Sequence, residues 1–146
     1  MKVSDLPALA GKTLGPTEWS SVSQEEVNVF ADLTNDHNFI HVDPVKAKEP
    51  PFGGTIVHGY LAMSMLAPVV QGFLPVEDAS VSINYGLDKL RFPAPLPVGA
   101  RYRVTGEVLS VEEVKGGIQT VIRLSVEVEG SDKPTLVADG VFRFYA

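Results

Sequence analysis

Asp36 and His41 stand five residues apart in a dense polar cluster, Asp36-His37-Asn38-Phe39-Ile40-His41-Val42-Asp43. A carboxylate and an imidazole brought together can serve as paired proton carriers, one accepting a proton as the other releases one. Asp36 and Asn38 equally suit a turn that follows a helix, because such short polar side chains bond nearby main chain. His58-Gly59 is the second feature with chemical potential, at the entry to a long apolar segment. Free N–H groups and the positive end of a helix dipole favour an anion or a developing oxyanion there. Glycine also lets a ligand carbonyl approach the main chain closely. A packed histidine at a glycine-rich helix entry would produce the same pattern.

All three histidines lie between residues 36 and 74. His37, His41, Asp43 and His58 match no standard zinc spacing and no cysteine assists them, so no metal is expected. Ser64 is polar on an otherwise apolar element, where a serine commonly satisfies a carbonyl of its own helix. Lys89 and Arg91 precede Phe92-Pro93-Ala94-Pro95 and offer cations to the phosphates of a nucleotide-bearing substrate, or else form a solvated face.

Elements must hold these residues. Ser23-Gln24-Glu25-Glu26 is a capping box that starts a short helix, with Val27, Phe30, Ala31 and Leu33 as its apolar stripe and an end near Asn35. Asp43-Pro44 reads as a second, brief helix start, stopped by Pro50-Pro51. Val57, Tyr60, Leu61, Met63, Met65, Leu66, Val69, Val70, Phe73 and Leu74 then predict a long helix, apolar on nearly every side. Pro68 cannot donate to the Ser64 carbonyl, so a kink is expected there.

After the helix the period becomes two. Val81, Ile83, Tyr85 and Leu87 alternate, then Leu90 and Phe92 take the opposite parity; the switch at residues 86–89 predicts a bulge. Leu109 and Val111 repeat that switch after Tyr102, Val104 and Val108. Gly116-Gly117 is a hairpin signal, and Ile118, Ile122, Leu124, Val126 and Val128 follow as a core-facing row. Helices first and strands afterwards predict an α+β domain over residues 1–146. Its antiparallel sheet curls around one long hydrophobic helix, the hotdog arrangement.

Composition narrows the function classes. The chain has 146 residues, 45% hydrophobic and 21% charged, with net charge −6 and no cysteine. No basic block suggests nucleic acid, and disulfide scaffolds and thiol chemistry are excluded. Residues 1–15 hold no continuous apolar core of the signal-peptide kind. The uncharged stretch between Glu49 and Glu77 is interrupted by four prolines and four glycines, so a buried helix is expected rather than a membrane span. A soluble, cytoplasmic protein is the expectation.

The run Phe30-Ala31-Asp32-Leu33-Thr34-Asn35-Asp36-His37-Asn38-Phe39-Ile40-His41-Val42-Asp43-Pro44, with Phe52-Gly53-Gly54-Thr55-Ile56-Val57-His58-Gly59, resembles the MaoC-like (R)-specific enoyl-CoA hydratases. The later run from Asn84 to Pro95 is similar to the branch that includes nodulation-protein-N-like proteins. The resemblance implies that Asp36 and His41 are a catalytic pair, that Asn38 supports them, and that the Gly59 N–H holds a thioester oxygen. It further implies reversible hydration of trans-2-enoyl-CoA to (R)-3-hydroxyacyl-CoA, and a homodimer with its sites at the interface. Acyl-CoA is then the substrate, with no separate cofactor. His58, Ser64 and Arg91 are carried with Gly59 and Asn38 as candidate substrate-binding residues. The family's Gly before the aspartate is Asn35 here, the Pro after its asparagine is Phe39, and a serine of some hydratases is Ala67. A hotdog thioesterase, or a non-catalytic acyl-CoA-binding module, are the alternatives.

Overall fold

The computed structural model describes the chain throughout, Met1–Ala146. Helix α1 (Gln24–Thr34) begins with the reciprocal cap its sequence predicts. The Ser23 hydroxyl accepts from the Glu26 N–H at 3.2 Å, and Glu26 Oε2 accepts from the Ser23 N–H at 2.8 Å. A cap of this kind contributes about 1 kcal/mol. Asn35 ends the helix at φ 60°, a left-handed conformation that asparagine tolerates better than most residues. Val27 and Ala31 are buried, but Leu33 is 82% exposed. Six residues beyond Val27, it lies about 240° around the helix and cannot share its face.

A one-turn helix that the sequence reading did not foresee comes next, α2 (Phe39–Val42), capped by Asn38, whose Oδ1 accepts from the Ile40 N–H at 3.3 Å. The helix expected at Asp43-Pro44 reduces to a 3₁₀ turn at Lys46–Lys48. Val45 stands at its N-cap position, and Asp43 Oδ1 accepts from the Lys46 N–H at 3.0 Å.

The long central helix is in fact two, α3 (Gly59–Ser64) and α4 (Leu66–Phe73), parted at Met65. Pro68 leaves the Ser64 carbonyl without its helical donor, and the Met65 N–H tightens onto Ala62 O at 3.3 Å. Nor is the pair wrapped on most sides. Ala62, Leu66, Val70 and Leu74 are buried at every fourth position, while Tyr60, Ser64, Pro68 and Gln71 form an exposed stripe. No helix of the chain is long and apolar enough to cross a membrane.

The sheet contains β1 (Thr13–Leu14), β2 (Val81–Arg91), β3 (Tyr102–Val114), β4 (Gly117–Val128) and β5 (Leu136–Tyr145). Every pairing is antiparallel, in the order β1-β3-β4-β5-β2. Register shifts fall at Asn84/Gly86, Leu87/Lys89 and Val108/Ser110, where the side-chain parity switches in sequence. Bulges there let the sheet bend around the helices. Ile122, Leu124, Val126, Leu136, Ala138, Phe142 and Phe144 pack with Ala62, Leu66, Val70 and Leu74 in one core. The α+β hotdog arrangement holds.

Strand β2 departs from its pattern. Val81, Ile83, Tyr85 and Leu87 are 41–57% exposed, because β2 lies at the sheet edge with only β5 beside it.

On the outer face, Arg123 grips Asp139 across β4 and β5 with two bonds, Nε to Oδ1 at 2.8 Å and Nη2 to Oδ2 at 2.9 Å. Hydrogen bonding from Arg123 holds the Asp139 carboxyl below its ordinary range, against the opposing effect of burial. A carboxylate depressed on folding stabilises the protein above its unfolded pKa and stops doing so as pH falls through the folded value. Asp139→Asn is therefore expected to lower the urea midpoint at pH 7, with the gap to wild type closing as pH is taken toward 3. A gap that stays constant with pH would remove this ion pair from the account of stability.

Candidate active site

Three separate elements converge on one cleft of about 500 Å³, lined by Phe30, Thr34, Asp36, His41, His58, Gly59, Tyr60 and Phe92. Asp36 stands on the turn after α1, His41 on α2, and His58-Gly59 at the start of α3. The left-handed Asn35 sends the chain back across the end of α1 and so delivers Asp36 to this position. Its carboxylate accepts only a long 3.4 Å bond from the Asn38 N–H and is otherwise exposed, so it remains free for a ligand.

His41 is held far more tightly. Its Nδ1 lies 2.7 Å from Ile56 O, which requires Nδ1–H as donor and leaves the Nε2 lone pair free. Gln24 bonds its carbonyl through Nε2 at 2.7 Å, and the Gln24 Oε1 accepts from the Thr55 hydroxyl at 2.6 Å. The Ile56 N–H closes the bracket by donating to Ile40 O at 2.9 Å. Gln24 and Thr55 were not foreseen as part of the site. Gln24 reads in sequence as an ordinary first-turn residue, and nothing local ties it to a carbonyl seventeen positions on.

His58 is buried to 2% exposure rather than offered at a helix entry. Its ring stacks on His41 with centroids 4.0 Å apart and planes 24° apart, and Phe30 tilts against it at 4.9 Å. One ligating atom each from Asp36, His41 and His58 falls within 4.8 Å of the other two. The trio suits water better than a metal. Face-stacked rings hold their in-plane lone pairs in separate, nearly parallel planes, whereas a metal must lie close to both planes, about 2.1 Å from both nitrogens. A water at about 2.8 Å from a carboxylate oxygen and from an imidazole nitrogen fits readily at that separation.

The Gly59 N–H has no main-chain acceptor within the chain, as expected for the first residue of a helix. Phe92 stands over Gly59: a Cβ added there would meet its ring at 2.9–3.1 Å. The same ring also lines an adjoining apolar cleft with Phe52, Ile56, Ala62 and Leu96.

Other sequence candidates lie apart from this constellation. Asn38 spends its side chain on the α2 cap. The Ser64 hydroxyl donates to Tyr60 O at 2.6 Å, the intrahelical role, and Ser64 lines a different cleft beside β2. Arg91 is exposed and donates to Leu90 O. His37 pairs with Asp32 at 2.8 Å on the surface, away from the other two histidines.

The chain is similar to known proteins along most of its length. The MaoC-like domain profile matches residues 5–130. The 3-hydroxyacyl-thioester dehydratase Z of Mycobacterium tuberculosis is 46% identical over 145 residues, covering 99% of this chain and 96% of that protein. Nodulation protein N of Rhizobium leguminosarum bv. viciae is 39% identical, covering 97% and 89%. Among solved structures, the (R)-hydratase from A. caviae involved in PHA biosynthesis superposes with a TM-score of 0.76 at 26% identity, covering 91% of this chain and 94% of that one. With the profile spanning most of the chain and relatives this similar along nearly its full length, the protein belongs to the MaoC-like family and is a hydro-lyase.

Proposed function

We propose that the protein hydrates trans-2-enoyl-CoA to (R)-3-hydroxyacyl-CoA and runs the reverse dehydration. One observation carries this reading: the free Asp36 carboxylate and the free Nε2 side of His41 face one cleft that also contains the unpaired Gly59 N–H. The thioester oxygen accepts from Gly59, which withdraws electron density and makes the β-carbon electrophilic. A water bridging Asp36 and His41 bonds its oxygen to that carbon. One of its protons passes to the pair, and the pair supplies a proton to the α-carbon, so the addition balances.

Asn38 supports the pair by capping the helix that holds His41. Arg91, next in the chain to Phe92, is the proposed contact for coenzyme A phosphates. The reaction needs no metal or redox cofactor, since coenzyme A arrives with the substrate. The active form is proposed to be a cytoplasmic homodimer. The free edge of β2, with Val81, Ile83, Tyr85 and Leu87 half exposed, needs cover, and a second copy joined edge to edge supplies it. Sedimentation at micromolar concentration is expected to give a dimer; an active monomer would overturn this part.

The assay is loss of the conjugated-thioester absorbance with crotonyl-CoA and longer enoyl-CoAs, with product stereochemistry determined. Release of free thiol instead would identify a thioesterase, and binding without any turnover a carrier module.

A further inference from the structure

We propose that His58 is a positioning residue that locks Asp36 and His41 into one rigid unit, rather than a group that touches substrate; this rests on the hydration reading above. Its Nε2 lies 3.0 Å from the Asp36 carbonyl oxygen, so the proton sits on Nε2. Its face packs on His41 and its other flank on Phe30. His58 is thus tied through an edge to the residue carrying the carboxylate, and through a face to the residue carrying the imidazole.

The remaining ring atom argues for the same role. His58 Nδ1 is buried and has no hydrogen-bond partner in the chain. Leaving a buried polar atom without a partner in the chain is a penalty an apolar ring of similar shape would avoid. What the histidine supplies that such an apolar ring would not is its other nitrogen, and that nitrogen bonds Asp36. The two stacked rings therefore carry opposite tautomers, Nδ1–H on His41 and Nε2–H on His58, each fixed by a main-chain carbonyl.

The one other hydrogen bond at Asp36 is the long 3.4 Å contact from the Asn38 N–H. Without the His58 bond its carboxylate drifts relative to His41, and a displacement of about 1 Å can lower a rate a hundredfold. His58→Phe keeps the stacked ring and removes the N–H. His58→Gln keeps a donor near the Nε2 position and removes the ring.

The test compares both variants with wild type for crotonyl-CoA hydration, each in the native and the Asp36→Asn background, with circular dichroism and thermal unfolding as folding controls. His58→Phe is expected to lower kcat about 10- to 100-fold with KM within about threefold. His58→Gln should recover part of that loss. In the Asp36→Asn background His58→Phe should cost little more, because the group it positions is already gone. A kcat within about threefold of wild type, or an equal loss in both backgrounds, overturns the proposal. Should His58→Phe not fold, imidazole ¹⁵N spectra of the wild-type protein decide: any His58 tautomer other than Nε2–H overturns it. If wild type hydrates no enoyl thioester while the spectra show that tautomer, the reaction reading fails and the bracket remains.

Discussion

Asp36→Asn and His41→Gln are each expected to lower kcat for enoyl-thioester hydration by roughly a hundredfold or more, with the fold intact, the scale expected when positioned acid–base catalysis is lost. Asparagine keeps the shape of the exposed Asp36 side chain but can no longer take a proton. Glutamine at 41 preserves an amide donor for Ile56 O yet offers no imidazole lone pair to the cleft. Both changes strike the same water, so the double variant should be little worse than the worse single one. The measurement is steady-state kinetics with crotonyl-CoA on the four proteins, beside their unfolding curves. Near-normal turnover in either single variant would remove the pair from the mechanism.

Gly59→Val has the second large expected effect, about 3 kcal/mol or more of transition-state stabilisation, the scale for losing one oxyanion donor. Because negative charge grows on the thioester oxygen as the reaction proceeds, loss of the donor should reduce kcat more than substrate affinity. The structure adds a complication that must be separated. A side chain at 59 first meets the Phe92 ring, at 2.9–3.1 Å, before any ligand is present. Phe92→Ala removes that collision, so Gly59→Val is to be measured in both backgrounds, together with binding of an inert acyl-CoA. A deficit in kcat that persists without Phe92 belongs to the donor. If Phe92→Ala abolishes the deficit, or if binding and turnover fall by the same factor, crowding accounts for the effect and the oxyanion role of Gly59 should be abandoned.

Local chemistry made much of the framework readable. The Ser23–Glu26 box and the parity switches around residues 86–89 and 109 are each set by neighbours in the chain, and each appears close to where it was expected; the hairpin turn falls one residue earlier than Gly116-Gly117, at Lys115-Gly116, because Val114 pairs with Gly117. Pro68 announced the interruption of the central helix for the same reason, since a missing N–H acts four residues away. The helix α2 was invisible because it is a single turn held by the Asn38 cap and by tertiary bonds rather than by any apolar period. The exposure of the β2 stripe was not legible, because alternation shows which residues share a face and says nothing of whether a neighbour covers it.

For the site, residue type and spacing alone marked Asp36, His41 and His58-Gly59 as candidates, since proton carriers and a glycine-led helix start are properties of the local chain. Tertiary structure alone decided their arrangement: that His41 and His58 stack, that Gln24 and Thr55 clamp His41, that Phe92 covers Gly59, and that Ser64 and Arg91 lie outside the cleft. Those contacts join residues separated by as many as thirty-three positions, and they form only when α1, α2, α3 and the end of β2 meet over the sheet. Their strength comes from burial and hydrogen-bond geometry in the assembled fold, which no spacing along the chain encodes.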